Sequence, residues 1–290
     1  MTAISTRSSL FSALVVPVNT LFSLPWALTS YVIASQTSSL ELGQLLYRLS
    51  LFLFALFSLR IVAMLSNHLL YRHEDRANPR TQKRPLPVSA IRPSQLALWI
   101  ACASLSFLAL CALLGPPLLS WGVLLLAWTL LYPLAKHHTW AYPFILSFVL
   151  FMAPIVAWQV TGAPWTAFPL FLALASFTLT AGADSVYSIL DLQFDRSYGI
   201  QSIPRRFGIP KTLLIARVLH SIALICLFLI AFTMPYPSLC ISAVVLMAVR
   251  LFWLHFQLDT DRESSIMAFM RRSPAEMGIA LLILQLVWLI

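Results

Sequence analysis

Apolar residues run through this chain in blocks of about twenty, and most polar positions fall in the joints between them. A hydrocarbon layer about 30 Å thick needs roughly 20 helical residues to cross it. Blocks of that order occupy 10–34, 43–66, 95–114, 117–135, 141–160, 166–190, 212–233, 236–256 and 274–290. The pattern predicts an all-α, polytopic membrane protein with nine transmembrane helices. Three joints are short turns without charge: Gly115-Pro116-Pro117, Thr161-Gly162-Ala163-Pro164 and Pro235-Tyr236-Pro237. No linker or low-complexity tract interrupts the series, so 1–290 reads as a single integral membrane domain. No small-residue cleavage site precedes Pro25, and the first span is expected to be retained.

Composition removes the soluble alternative. Hydrophobic residues make up 60% of the chain and charged ones 10%, with a mean hydropathy of +0.85; ordinary soluble domains carry about a quarter charged residues. The net charge of +9 would suggest nucleic acid in a soluble protein. Here the cations lie between apolar blocks, where the lipid bilayer is the partner and nucleic acid is not. Arg72, Arg76, Arg80, Lys83, Arg84 and Arg92 share one joint. Lys136 stands in another, Arg196, Arg205, Arg206 and Lys211 in a third, and Arg262, Arg271 and Arg272 precede the last block. These are the even-numbered joints, on the side of Arg7, whereas the odd ones hold Glu41 and no cation. The alternation predicts a bacterial-type inner membrane protein with its N-terminus cytoplasmic and its C-terminus outside. The four cysteines, Cys102, Cys111, Cys226 and Cys240, have neither zinc nor disulfide spacing.

The acids carry the chemistry. Glu74, Asp75, Asp184, Asp191 and Asp195 fall at or just beyond the cytoplasmic ends of two predicted helices. At about 100° per residue, Asn67, Tyr71, Glu74 and Asp75 share one helical face, and Asp184, Asp191 and Asp195 lie within about 40° of one another. Carboxylates stacked beside hydrocarbon repel and call for a cation. Oxygen-only ligands suit magnesium, which keeps positions for phosphate oxygens. Arg72, Arg80, Lys83, Arg84, Lys136 and Arg206 suit the same diphosphate. A site of both signs at the mouth of an apolar bundle fits a ligand with an anionic head and a lipid tail. His68, His73, His137 and His138 match no zinc pattern and read as solvated. Asp259, Asp261, Arg262 and Glu263 read as a solvated loop.

Asn67-His68-Leu69-Leu70-Tyr71-Arg72-His73-Glu74-Asp75, then Asn78-Pro79-Arg80-Thr81 and Arg84-Pro85-Leu86-Pro87, resembles the NxxxDxxxD motif and trailing R-P-L of the UbiA superfamily of intramembrane aromatic prenyltransferases. Asp184-Ser185-Val186-Tyr187 through Asp191-Leu192-Gln193-Phe194-Asp195-Arg196, with Gly199 and Ser202-Ile203-Pro204-Arg205-Arg206-Phe207-Gly208, resembles its second Asp-rich motif. Tyr132-Pro133 with Lys136 and Thr139 is similar to its YPxxKRxT element.

The resemblance implies a helical bundle around a central cavity in which Mg2+ binds the diphosphate of a polyprenyl donor, and an aromatic acid takes the prenyl group. It implies metal positions at Asn67, Asp75, Asp191 and Asp195; with Tyr71 in the first motif, either Glu74 on the same face substitutes for the missing carboxylate as a metal ligand, or the first metal is held weakly and the second motif carries most of the binding. Diphosphate or substrate positions would be Asn67, Arg72, Lys136, Asp184, Tyr187 and Arg206, and the catalytic set Asp191, Asp195 and Lys136. Two positions depart from the family: Tyr71 stands where Asp is usual, and His137 where Arg is usual. The acceptor expected is 4-hydroxybenzoate in quinone (ubiquinone or menaquinone) synthesis, with a dihydroxynaphthoate as the alternative. No obligate protein partner is implied. Two other classes fit less well. A CDP-alcohol phosphotransferase needs glycines between its acids, and an ion-coupled transporter would hold its acids near mid-membrane.

Overall fold

The structure, a computed structural model, describes residues 23–82, 84 and 91–289, without the side chains of 274–276, 288 and 289. Arg7, residues 10–22 of the first predicted span, Lys83 and Pro85-Leu86-Pro87 lie outside that range. Every regular element among the described residues is helical. In chain order they are α1 (Leu24–Ser35), α2 (Leu42–Leu70), α3 (Arg72–Ala77), α4 (Pro93–Leu114) and α5 (Pro116–Leu131). A 3-10 turn, Tyr132–Leu134, leads into α6 (Ala135–His138) and α7 (Tyr142–Val160). Next come α8 (Phe168–Tyr187), a second 3-10 turn (Ser188–Asp191) and α9 (Leu192–Tyr198). The chain ends with α10 (Ile203–Ala231), kinked at Gly208, α11 (Pro237–Phe256) and α12 (Glu263–Leu289).

Seven segments are long and apolar enough to cross a bilayer: Leu42–Leu70, Pro93–Leu114, Pro116–His138, Tyr142–Val160, Phe168–Tyr198, Ile203–Ala231 and Pro237–Phe256. The protein is therefore an integral, multi-pass membrane protein. These seven match predicted spans two through eight. Of the two outer spans, α1 covers 24–34 of the first, and α12 begins eleven residues earlier than the apolar block at 274–290, carrying Glu263, Arg271 and Arg272 within it. Side chains such as Leu42, Phe252 and Phe256 are more than 70% exposed, as a hydrocarbon solvent requires of outward-facing positions.

Helix starts follow from proline placement. Pro93, Pro116, Pro143, Pro169, Pro204 and Pro237 each sit in the first turn, where the missing N–H has no intrahelical partner to lose. Pro154, inside α7, is different: it leaves the Leu150 carbonyl without its usual donor. The Ser176 hydroxyl of α8 donates to that carbonyl at 3.1 Å, and Ser30 of α1 donates to the Pro154 carbonyl at 2.6 Å. With no water available in hydrocarbon, these short hydroxyls satisfy the backbone that the proline disturbs.

The described residues group into two compact units, one within 42–134 and the other formed by 23–41 with 135–289. In the first, α2 packs against α4 and α5. In the second, α8 is central, packing against α7, α10, α12 and α1 around a core that includes Trp26, Trp158, Leu172, Leu227, Met277 and Leu281.

Candidate functional site

Each unit carries one of the two polar clusters. In the first, the helix breaks at Tyr71, yet Tyr71 N–H donates to the Asn67 carbonyl at 2.9 Å and Asp75 N–H to the Tyr71 carbonyl at 2.7 Å. Helical register therefore continues across the joint, and Asn67, Tyr71 and Asp75 keep their common face. The Asn67 side-chain amide donates to the Tyr132 hydroxyl at 2.8 Å, and the Tyr71 hydroxyl donates to the Pro133 carbonyl. Two residues of the first motif thus hold the 3-10 turn that precedes Lys136.

Asp75 is 6% exposed, and Arg84 Nη1 donates to both its carboxylate oxygens at 2.9 Å. The intervening chain is folded back by Asn78, whose Oδ1 accepts the Arg80 N–H at 3.0 Å, and by Thr81, whose hydroxyl donates to the Asp75 carbonyl at 3.1 Å. His68 is buried, with Nδ1 at 4.0 Å from Asp75, so the expectation of a solvated histidine is corrected at this position. Arg72 is exposed and donates to the Leu69 carbonyl at 3.0 Å, while Glu74 is half-buried.

The second cluster sits on α8, the 3-10 turn and α9. The spacing of its acids predicts one regular helix through residue 190, but tight 3-10 winding over Ser188–Asp191 interrupts it, so the three acids do not line a single ideal face. Asp184 is half-buried, Asp191 is 8% exposed and Asp195 is fully buried. Lys136 is within electrostatic reach of Asp184 and Asp195, and Arg205 of Asp195. Lys136 is tied to this cluster through its backbone, since Gln201 N–H donates to its carbonyl at 3.3 Å. Gly199 ends α9 with φ of 85°, a left-handed cap that turns the chain back toward Ser202. Tyr187 is half-buried at the end of α8. Arg206 is exposed, its guanidinium 5.4 Å from the Trp140 ring centre and 5.5 Å from that of Phe207.

The chemistry of this cluster is written in Asp195. Neither carboxylate oxygen has a hydrogen-bond partner among the described residues, and the Ser202 hydroxyl stands close without completing one. A buried, unsatisfied carboxylate is costly, and an oxygen-binding divalent cation is the group that would satisfy it. Among the described residues no three acids, histidines or cysteines gather into a metal-holding group, so the fit to magnesium rests on the Asp195 oxygens and their electrostatic neighbour Asp191.

Arg60 was missed by the motif reading. It lies within α2, seven residues before Asn67 and hence on nearly the same face, about 10.5 Å deeper along the helix. Its Nε is buried without a hydrogen-bond partner among the described residues, where Tyr132 is its electrostatic neighbour. The signal was an arginine inside an apolar block, a costly placement that raises a functional hypothesis.

Comparison with known proteins places the chain. The pattern of the UbiA prenyltransferase family matches residues 23–282. A 4-hydroxybenzoate octaprenyltransferase from Shewanella denitrificans is 26% identical over 172 residues, covering 55% of each chain. The chain thus spans about half the length of that curated relative. The apo structure of a UbiA homolog from Aeropyrum pernix K1 superimposes with a TM-score of 0.73 at 26% identity, over 91% of this chain and 97% of that one. A UbiA homolog from Archaeoglobus fulgidus, bound to GPP and Mg2+, shares the fold with a TM-score of 0.71 at 16% identity, over 97% of this chain and 100% of that one.

Proposed function

The chain belongs to the UbiA prenyltransferase family, and from that premise we propose that it transfers a polyprenyl group from a polyprenyl diphosphate to an aromatic acid such as 4-hydroxybenzoate, with Mg2+, in quinone synthesis. The observation that carries the reading is Asp195, a fully buried carboxylate with both oxygens unsatisfied among the described residues. Asp191 and Asp195, electrostatic neighbours, would hold the metal, which when bound supplies positive charge to the departing diphosphate. Lys136, tethered to the same cluster, adds a fixed cation beside it. The allylic C–O bond breaks with its electron pair leaving on the diphosphate, a ring carbon of the acceptor forms the new C–C bond, and the ring proton is lost. The surrounding apolar helices keep water from capturing the allylic cation. The alternation of charged joints supports a cytoplasmic site in a bacterial-type inner membrane.

Arg60 supports an acid as acceptor. A cation inside a span, without a carboxylate partner among the described residues, suits the carboxylate of an incoming ring. Asn67 Oδ1, also buried and without a partner among the described residues, lies two turns away on nearly the same face and can accept from a ring hydroxyl. Arg60→Gln should raise the half-saturating acceptor concentration by about 10–100-fold, the loss of a charge-assisted hydrogen bond of about 1.5–3 kcal/mol. The half-saturating prenyl diphosphate should stay within about twofold. Equal shifts for both substrates would remove Arg60 from the acceptor subsite.

The activity is tested with the purified protein, Mg2+, a labelled polyprenyl diphosphate, and 4-hydroxybenzoate or a dihydroxynaphthoate in parallel. A prenylated ring with one acid is the expected result. Failure with both acids, together with ion flux in proteoliposomes, would replace this reading with transport.

A further inference from the structure

Lys136 and the acids it neighbours come from different segments of the second unit, and one aromatic contact joins those segments. Lys136 lies on α6, and the chain runs on through Thr139 to Trp140. Thr139 N–H donates to the Ala135 carbonyl at 2.9 Å, and its hydroxyl accepts the Ala141 N–H at 3.0 Å. Trp140 is thereby held about one helical turn beyond Lys136. From the other direction, Asp195 leads through the Gly199 cap to the turn 203–207, which the Gly208 kink, with φ of 79°, cuts off from the rest of α10. A helical turn that short has little stability of its own. The Trp140 and Phe207 rings meet edge to face with centres 5.1 Å apart, and the Arg206 guanidinium lies 5.4 Å from the first and 5.5 Å from the second. Beside them, the Gln201 N–H donates to the Lys136 carbonyl at 3.3 Å, a long bond that does not by itself fix the lysine.

We propose that Arg206, clasped by Trp140 and Phe207, is a positioning residue that holds the Lys136 turn against the segment following Asp195, in place of binding the diphosphate itself. A guanidinium suits the task because it is planar and weakly hydrated and lies on aromatic rings, which an ammonium does poorly. Charge counting along the sequence places Arg206 among the diphosphate cations, whereas the two rings around it give it a mechanical role. The consequence falls on Lys136, whose fixed charge faces Asp184 and Asp195. Misplacing a reacting or stabilising group by about 1 Å can cost about 100-fold in rate. The inference rests on the proposed function, because it assigns how the cation of that reaction is kept beside its acids.

Transfer is measured on the purified full-length chain with Mg2+, labelled polyprenyl diphosphate and the accepting acid, together with the melting of each variant. Arg206→Gln loses the contact with both rings, and kcat/KM should fall about 2–5-fold. Trp140→Ala has no charge to lose, yet it removes the ring pair as well and should cost about 5–70-fold. Joined, the two should cost no more than Trp140→Ala alone. Arg206→Lys keeps the charge without the plane and should behave as Arg206→Gln, whereas Trp140→Phe should stay within about threefold of the unmodified chain. In a Lys136→Gln background, Trp140→Ala and Arg206→Gln should each change transfer by less than about twofold. Full rescue by Arg206→Lys would make Arg206 a ligand of the diphosphate and overturn the inference. So would unimpaired transfer in Trp140→Ala, or a further loss in the Lys136→Gln background, which would mark the clasp as a support of the fold alone. Each of these outcomes leaves the proposed function standing, while no transfer by the unmodified chain with either acid would overturn both. Should Trp140→Ala fail to fold, Arg206→Lys and Arg206→Gln, with and without Lys136, still decide.

Discussion

Asp195→Asn is expected to abolish prenyl transfer while making the empty protein more stable. The carboxylate is fully buried and both its oxygens lack a partner among the described residues, so in the absence of a ligand it is a net burden on the fold. An amide of the same shape removes the charge and keeps the packing. It also removes an anionic ligand from the cluster that would hold the metal, and electrostatic contributions of that kind are worth about 10²–10³ in rate. A fall in kcat/KM of about 10³-fold is the expected outcome, read with labelled polyprenyl diphosphate at saturating acceptor. Melting of the substrate-free protein should move upward. The opposite signs are what separate a functional acid from a structural one: a carboxylate retained for the fold would lose stability on becoming an amide. Transfer within tenfold of the unmodified chain would remove Asp195 from the reaction.

The same reasoning joins Arg60 to Asp195. One is a cation and the other an acid, on different helices, and each is left without a hydrogen-bond partner at a buried atom. Apolar packing does not require either charge. Their presence argues for ligands of opposite sign, a carboxylate for the one and a divalent cation for the other.

What the chain discloses by sequence alone follows from the solvent. Bilayer thickness fixes segment length, so the helices Leu42–Leu70 through Pro237–Phe256 appear near the apolar blocks that predict them. The acids are legible for the same reason, since a carboxylate near hydrocarbon is expensive enough to stand out. Residues whose meaning depends on packing are not legible. The Asp75–Arg84 pair spans nine positions, a spacing with no helical significance, and exists because the turn at Asn78 and Thr81 brings the chain back. The 3-10 winding at Ser188–Asp191 has no glycine or proline to announce it. Tyr71 reads as a missing carboxylate until its hydroxyl is found on Pro133, a residue 62 positions away. His220 and His255 lie inside apolar blocks, and hydropathy averaging over about 20 residues conceals single polar positions of that kind.

Those two histidines set the last expectation. His220, on α10, has Nε2 at 3.1 Å from the Leu179 carbonyl of α8, which obliges that nitrogen to donate. Its Nδ1 must then accept, from His255 Nε2–H of α11 at 2.8 Å, leaving His255 Nδ1 without a partner among the described residues. The latch has room only because residue 182 is glycine. A Cβ there would stand 2.5 Å from His220 Nε2 and 3.1 Å from the Ala216 carbonyl, and neither can yield freely. Gly182→Ala must push α8 from α10 or expel the imidazole from its bonds. Overpacking of this kind costs about 1–3 kcal/mol and a broken buried hydrogen bond about 1–3 more. At about 2–4 °C per kcal/mol, melting should fall by roughly 4–24 °C. His220→Ala alone loses the latch, but in the double variant the added methyl finds space. The two effects should therefore fall short of their sum by about 1 kcal/mol or more, as expected for residues in contact. Strictly additive melting shifts would mean that the collision with His220 is not why glycine stands at this position.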